Sequence, residues 1–257
     1  VSFGTGEPDF TTPEYICDGA KVAIDAGHTK YDAVTGVAAL RNAIAKKLRE
    51  DNGLSYGMDE IIVNSGAKSS LSVALQTILN PGDEVIIPKP YWVSYTEMVK
   101  LAGGVPVVVD TDPENAFKMT AEQMKAAITD KTKAMMLNTP VNPTGVLYSR
   151  EELQALADVA VAADILVIAD EIYEEFVYDG NKMVSIASLG EAIKNNTILV
   201  NGFSKTYAMT GWRLGYAAAP ADIIAGMKRI QGHTISHPST ITQYAGITAL
   251  EEKGEVV

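Results

Sequence analysis

Cysteine is almost missing from this sequence. Cys17 is the only one among 257 residues, so no disulfide can close within the chain, and a reducing, cytoplasmic setting is expected. Cys17 itself reads as a small buried apolar residue. Histidine is scarce too: His28, His233 and His237 are scattered without the spacing of a zinc site, and no metal is expected. No basic block offsets a net charge of −11, which argues against a nucleic-acid or anionic-membrane partner. No apolar run is long enough to span a membrane.

What is there is a globular composition, 47% hydrophobic and 21% charged, in a length sufficient for a substantial core. Seven strand-like runs recur: "EIIVNS" (60–65), "DEVIIPKP" (83–90), "VPVVVD" (105–110), "KAMMLNTP" (133–140), "DILVIAD" (164–170), "TILVNGF" (197–203) and "RLGYAAAP" (213–220). Helical stretches lie between many of them: 67–79, 91–102, 120–128 and 149–163. "TAEQ" (120–123) and "SREE" (149–152) have capping-box spacing, which marks helix starts. Strands apolar on both faces and separated by helices predict an α/β fold, a mostly parallel sheet of seven strands with helices on both faces. With no repeat and no linker, one domain over 1–257 is expected. The opening "VSFGTGEPDF" and closing "LEEKGEVV" read as cut ends, the latter as a helix tail.

In such sheets ligands sit at the carboxyl ends of the strands. The unusual residues fall there: "NSGAKSS", "KPYW", "NTPVNPTG", "DEIY" and "GFSKT" each follow an apolar run. Five such endings on one rim favour a composite site. Taken singly, each has a plainer reading. Asp170 is costly to bury without a cationic partner, yet a strand-end Asp often caps a helix. Tyr173 is equally ambiguous, and Asn142 sits in an ordinary turn signature. Gly66, Ala67 and Lys68 join small residues to a helix start whose N–H groups could hold a phosphate, although the spacing is neither Walker nor dinucleotide. Trp92 could stack on an aromatic ligand or pack in the core. Lys205, between two apolar runs, is either a solvated loop lysine or a nucleophile.

The set suits pyridoxal phosphate better than any member does alone. A lysine amine forms a Schiff base with the cofactor aldehyde, and an acidic residue keeps the pyridine nitrogen protonated so that the ring accepts a carbanion's electrons. The motifs "GEPDF", "KY", "NPGDEVIIPKPYWVSYTEMVKLAGG", "NTPVNPTG", "ADEIYEEFVY" and "SKTYAMTGWRLGYAAAP" occur in that order. Over essentially its whole length the chain resembles a class I aminotransferase of the aspartate aminotransferase family, in the branch common among bacteria.

The resemblance implies the large cofactor-binding domain of the fold type I transferases. It further implies transfer of an amino group from an L-amino acid, aspartate or glutamate favoured, to a 2-oxo acid through a Lys Schiff base and a ketimine. Lys205 would hold the cofactor and carry the proton between Cα and C4′, Asp170 would pair with the ring nitrogen, and Tyr173 and Asn142 would bond the phenolate oxygen. Trp92 would stack on the ring, while Arg213, helped by the 66–68 backbone, would clamp the phosphate. Tyr31 would reach the phosphate of a neighbouring subunit, so a homodimer is expected. Gly6 would approach the substrate by its backbone and Lys68 would meet a distal carboxylate.

The pattern also departs from the family. A hydroxyl residue common three positions before the lysine is Gly202 here, so one phosphate contact is missing, with Ser204 as a candidate substitute. Of Arg41, Arg49, Arg150, Arg213 and Arg229, only Arg213 falls in a motif with an assigned role. The family's N-terminal arm and its small C-terminal domain, with the arginine that grips the substrate α-carboxylate, are expected to lie outside these residues. Two other readings share the motifs: different chemistry on the same cofactor, such as β-elimination or decarboxylation, and a non-catalytic cofactor-binding module.

Overall fold

The structure is a computed structural model that describes residues 6–252. Two helices come first, α1 (Glu14–Asp25) and α2 (Ala38–Asp51). Strands and helices then alternate: β1 (Ile61–Asn64), α3 (Ala67–Ile78), β2 (Glu84–Lys89), α4 (Ser94–Leu101), β3 (Val105–Asp110), α5 (Ala121–Ala127), β4 (Thr132–Asn138), α6 (Arg150–Ala162) and β5 (Leu166–Asp170). After these come α7 (Glu191–Asn195), β6 (Thr197–Gly202), β7 (Gly215–Ala218), α8 (Ala221–Gly232) and α9 (Thr240–Glu251).

All seven expected strands are present and join one sheet in the order β1-β7-β6-β5-β4-β2-β3. Only β7 runs against its neighbours, so the mostly parallel sheet is observed. Both expected capping boxes are formed, Thr120 with Gln123 and Ser149 with Glu152. Each satisfies two backbone donors that a helix start leaves unpaired.

The sheet is apolar on both faces because both are covered. Ile168, Ile198 and Val200 pack with Leu71 and Leu75 of α3, Val99 of α4 and Met227 of α8. One residue along, Leu199 packs with Leu40 and Ile44 of α2 and Ala245 of α9, and Val167 and Ala169 with Leu153 and Leu156 of α6. Each fully buried Leu or Ile stabilises by about 1.5–3 kcal/mol, and a one-residue slip would exchange the faces, so the register is firmly set.

That register positions the rim. The carboxyl ends of β1, β4, β5 and β6 share one edge, and because β7 is reversed its amino end joins them. The expected strand 213–220 therefore starts two residues late. Arg213 has φ 57°, a left-handed conformation no strand residue adopts, and belongs to the turn entering β7.

Candidate active site

Ten of the residues singled out from the sequence line a single cleft of about 450 Å³ at this rim: Gly6, Ala67, Lys68, Trp92, Asn142, Asp170, Tyr173, Ser204, Lys205 and Arg213. Gly66 stands directly behind Arg213. Tyr31 is outside the cleft of its own chain and is 91% exposed. A larger cleft of about 650 Å³, between the ends of α2 and α9, contains none of the singled-out residues.

One end of the site is built for an anion. Asn64 pairs with Gly215 across β1 and β7, so Gly66, two residues beyond Asn64, faces Arg213, two residues before Gly215. A Cβ on Gly66 would lie 2.4 Å from Arg213 Nη2, and one on Gly215 2.4 Å from the Ala67 amide nitrogen. These two glycines let the guanidinium and the start of α3 meet. Two positive sources, a fixed guanidinium whose Nη1 donates to Thr210 O at 2.8 Å and the N-terminus of a 12-residue helix, thus converge on one spot. Among the described residues no carboxylate lies within ion-pair distance of Arg213. A phosphate would supply the missing charge.

Gly66 at φ 86° and ψ 160° is also in a region that side-chain-bearing residues avoid. Gly66→Ala is expected to push the end of the Arg213 side chain off its bond to Thr210 O rather than unfold α3. Affinity for a phosphate monoester should fall tenfold or more, since a charge-assisted hydrogen bond contributes about 1.5–3 kcal/mol. Calorimetric titration checks the affinity and circular dichroism the fold.

The other end holds a carboxylate. Asp170, 3% exposed, closes β5 on the face of α4. Its Oδ2 accepts from Tyr95 Oη at 2.7 Å and its Oδ1 from the Ile172 amide at 3.2 Å. Burial raises its pKa above the usual carboxylate value, and these two donors pull it back down. A protonated ring nitrogen in the cleft would complete the pair.

Between the two ends lies Lys205, in the turn joining β6 to β7. Its Nζ donates to Gly6 O and lies 5.7 Å from the Tyr173 ring centre. Burial lowers its pKa below the usual lysine value; Glu7 opposes the shift and Arg213 adds to it. More of the amine is therefore in the nucleophilic neutral form near neutral pH. Tyr173 is raised by burial and by Asp170, with the Asn142 side chain beside it lowering it in part. Lys68 Nζ sits 4.7 Å over the Trp92 ring, a cation–π contact that holds both at the cleft mouth.

Gly202 has a steric reason. A Cβ there would meet Leu214 O at 3.0 Å and Gly215 Cα at 3.1 Å, so a hydroxyl side chain would require the facing backbone to give by a few tenths of an ångström. Ser204 and Thr210 line the cleft instead.

Two supporting residues were not anticipated. Tyr95 bonds Asp170 and meets Trp92 edge to face at 5.5 Å. Asn138, at the end of β4, donates to Asp170 O at 2.8 Å and accepts from the Asn142 amide at 2.7 Å, tying two site strands together. Tyr95 follows Trp92 by three residues and their rings meet, but nothing in the sequence marks Asp170 as its partner.

A family model described as "Aminotransferase class I and II" matches residues 1–257. An aspartate aminotransferase of Bacillus sp. (strain YM-2) is 53% identical over 249 residues, covering 97% of this chain and 64% of the relative. The chain thus spans less than two thirds of that relative's length. Among solved structures, the Rhizobium meliloti aspartate aminotransferase superposes with a TM-score of 0.95 at 45% identity, over 96% of this chain and 62% of that one. The aromatic aminotransferase from Pyrococcus horikoshii gives 0.96 at 46%, over 98% and 68%.

Proposed function

The chain belongs to the class I and II aminotransferases, and on that premise we propose that the protein moves an amino group between an L-amino acid and a 2-oxo acid, with pyridoxal phosphate bound in the 450 Å³ cleft. The observation that carries the reading is the meeting of Lys205, Asp170 and Arg213 there: an amine of lowered pKa between a buried carboxylate and an uncompensated cationic cradle. When bound, the cofactor supplies an aldehyde for the lysine and a protonated ring that accepts the electrons left at the substrate Cα.

The protein's own groups do the rest. Arg213 would clamp the phosphate with the amides of Ala67 and Lys68, and Ser204 and Thr210 would offer hydroxyls where Gly202 has none. Asp170, held by Tyr95, would keep the ring nitrogen protonated. Tyr173 and Asn142 would hold the ring's phenolate oxygen, and Trp92 would cover the ring. Lys205 would move the proton from Cα. Gly6 lines the substrate's path by its backbone, and Lys68 meets a distal carboxylate, which favours aspartate or glutamate. The name of the Bacillus relative supports the same substrate class.

Tyr31, exposed and outside its own cleft, reaches the phosphate bound by a second copy, so the working form is a homodimer. No described helix is long and apolar enough to cross a membrane, and action in the cytoplasm belongs to the same reading.

The test begins with the protein equilibrated with pyridoxal phosphate, reduced with borohydride and digested. The cofactor mass should sit on the peptide containing Lys205; attachment elsewhere would overturn the site. Adding L-aspartate to the unreduced protein should then shift the cofactor absorption to that of the amine form. An unchanged spectrum with aspartate, glutamate and an aromatic amino acid would sink the amino-transfer reading while leaving the cofactor site standing.

A further inference from the structure

We propose that His237 is a positioning residue for Tyr31, holding the loop that presents this phenol to a second copy of the chain; the proposal rests on the reading of Tyr31 given above. An aromatic side chain 91% exposed on a loop would ordinarily be poorly ordered. Here residues 30–34 are tied at three points to the segment running from the end of α8 to the start of α9. Thr240 Oγ1 donates to Lys30 O at 3.0 Å, the Asp32 amide donates to His237 Nε2 at 3.1 Å, and Gln231 Nε2 donates to Val34 O at 2.7 Å. Two of the three ties flank Tyr31 directly.

His237 does more than the other two. Its Nδ1 lies 2.7 Å from Pro238 O, an oxygen that can only accept, so Nδ1 carries the hydrogen. Nε2 then offers its lone pair to the Asp32 amide. Both contacts select the same neutral tautomer, so the ring is fixed in orientation as well as place. That ring meets Tyr31 edge to face, 5.8 Å between centres at 88°. Ser236, just before it, adopts φ 63°, the left-handed turn from which the ring is presented. One side chain thus fixes the backbone next to Tyr31 and braces the phenol's own ring. Lysine, glutamine or an apolar residue cannot do both.

Two measurements test this. The first uses the cofactor-free protein. In His237→Phe, which keeps a ring but loses the acceptor, hydrogen exchange at the Asp32 amide should quicken about tenfold, the loss of roughly one hydrogen bond. His237→Asn, whose carbonyl can accept from the same amide, should restore much of the protection. Unchanged exchange in His237→Phe overturns the tie.

The second uses mixed dimers that pair a Lys205→Ala protomer with one carrying Tyr31→Phe. One site in the pair then has an intact lysine and borrows its tyrosine from the Lys205→Ala protomer. Adding His237→Phe to that tyrosine donor should weaken pyridoxal phosphate binding at the competent site about tenfold. Adding it to the Tyr31→Phe protomer should change nothing. Equal weakening from either position would mean a general structural role and would overturn the proposal. If Tyr31→Phe placed in the donor leaves affinity unchanged, the reading of Tyr31 has failed and the proposal falls with it, whatever the exchange result.

Discussion

Replacing Lys205 with alanine is expected to lower turnover by at least 10⁴-fold while pyridoxal phosphate still binds. The two halves of that expectation come from different groups. The phosphate end of the site owes nothing to Lys205: it is built from Arg213, the start of α3 and the two glycines that let them meet. Arg213 should therefore retain the cofactor, more weakly and without a covalent bond. What would disappear is the amine that, on the proposed reading, bonds the aldehyde and moves the proton from Cα. Proton transfer by a positioned group contributes about 10²–10⁴ in rate, and losing the covalent anchor adds to this.

Lys205→Arg is the informative control. It keeps a cation of similar reach, but a guanidinium is not deprotonated in proteins and cannot act as a nucleophile or base. It should be as inactive as the alanine variant. The checks are a single-turnover assay with L-aspartate and borohydride trapping, which should label neither variant at position 205. Appreciable turnover in Lys205→Ala would remove the lysine from the mechanism. Activity surviving only in Lys205→Arg would reduce its role to that of a charge.

Much of this site was legible because its residues follow directly after strands whose apolar runs are unmistakable. Asp170 after "ILVIA" and Lys205 three residues past β6 stand out by contrast with what precedes them. What was not legible depends on strand order. Asn138 and Asp170 are 32 residues apart, and only the placement of β4 beside β5 makes them partners. Tyr95 lies 75 residues from Asp170 and is 2% exposed, so in the sequence it looks like any buried aromatic. The first two helices were missed for a local reason. Their buried positions have helical spacing, Leu40, Ala43, Ile44 and Leu48 in α2, but Pro13 and Val37 at their starts make no side-chain cap, so the usual start signal is missing. The apolar run before it makes Asp170 stand out, whereas the carboxylate next to it looks like part of the turn that follows.

That carboxylate, Glu171, carries the largest expected effect on stability. Successive residues at a strand end face opposite ways, so Asp170 looks into the cleft and Glu171 into the core beneath the other face. It is 1% exposed; the Ser185 hydroxyl stands beside its carboxyl group without a well-aligned hydrogen bond to it, and the Tyr56 hydroxyl is unpartnered. Burial pushes its pKa up from an ordinary 4.5 to about 8, with Glu174 and Asp170 adding repulsion and Ser185 and Lys47 offsetting part of it. Lys47 is already committed to Glu174, with which it forms an ion pair. Between pH 4.5 and 8 the unfolded chain gives up this proton while the folded chain keeps it, so folding stability falls across that window and levels off above it. The full decline is on the order of 4 kcal/mol. Glu171→Gln, neutral at every pH, should match the parent near pH 5 and exceed it increasingly up to about pH 8, by several degrees or more in Tm. Denaturant titrations of both proteins from pH 5 to 9 measure the difference, and parallel curves would show that Glu171 is not the group holding the proton. A diverging pair would mean that Glu171, just past the end of β5, keeps its proton in the folded chain. A Glu171 that keeps its proton would add no negative charge beside Asp170, which lies on the face where a ring nitrogen would meet it.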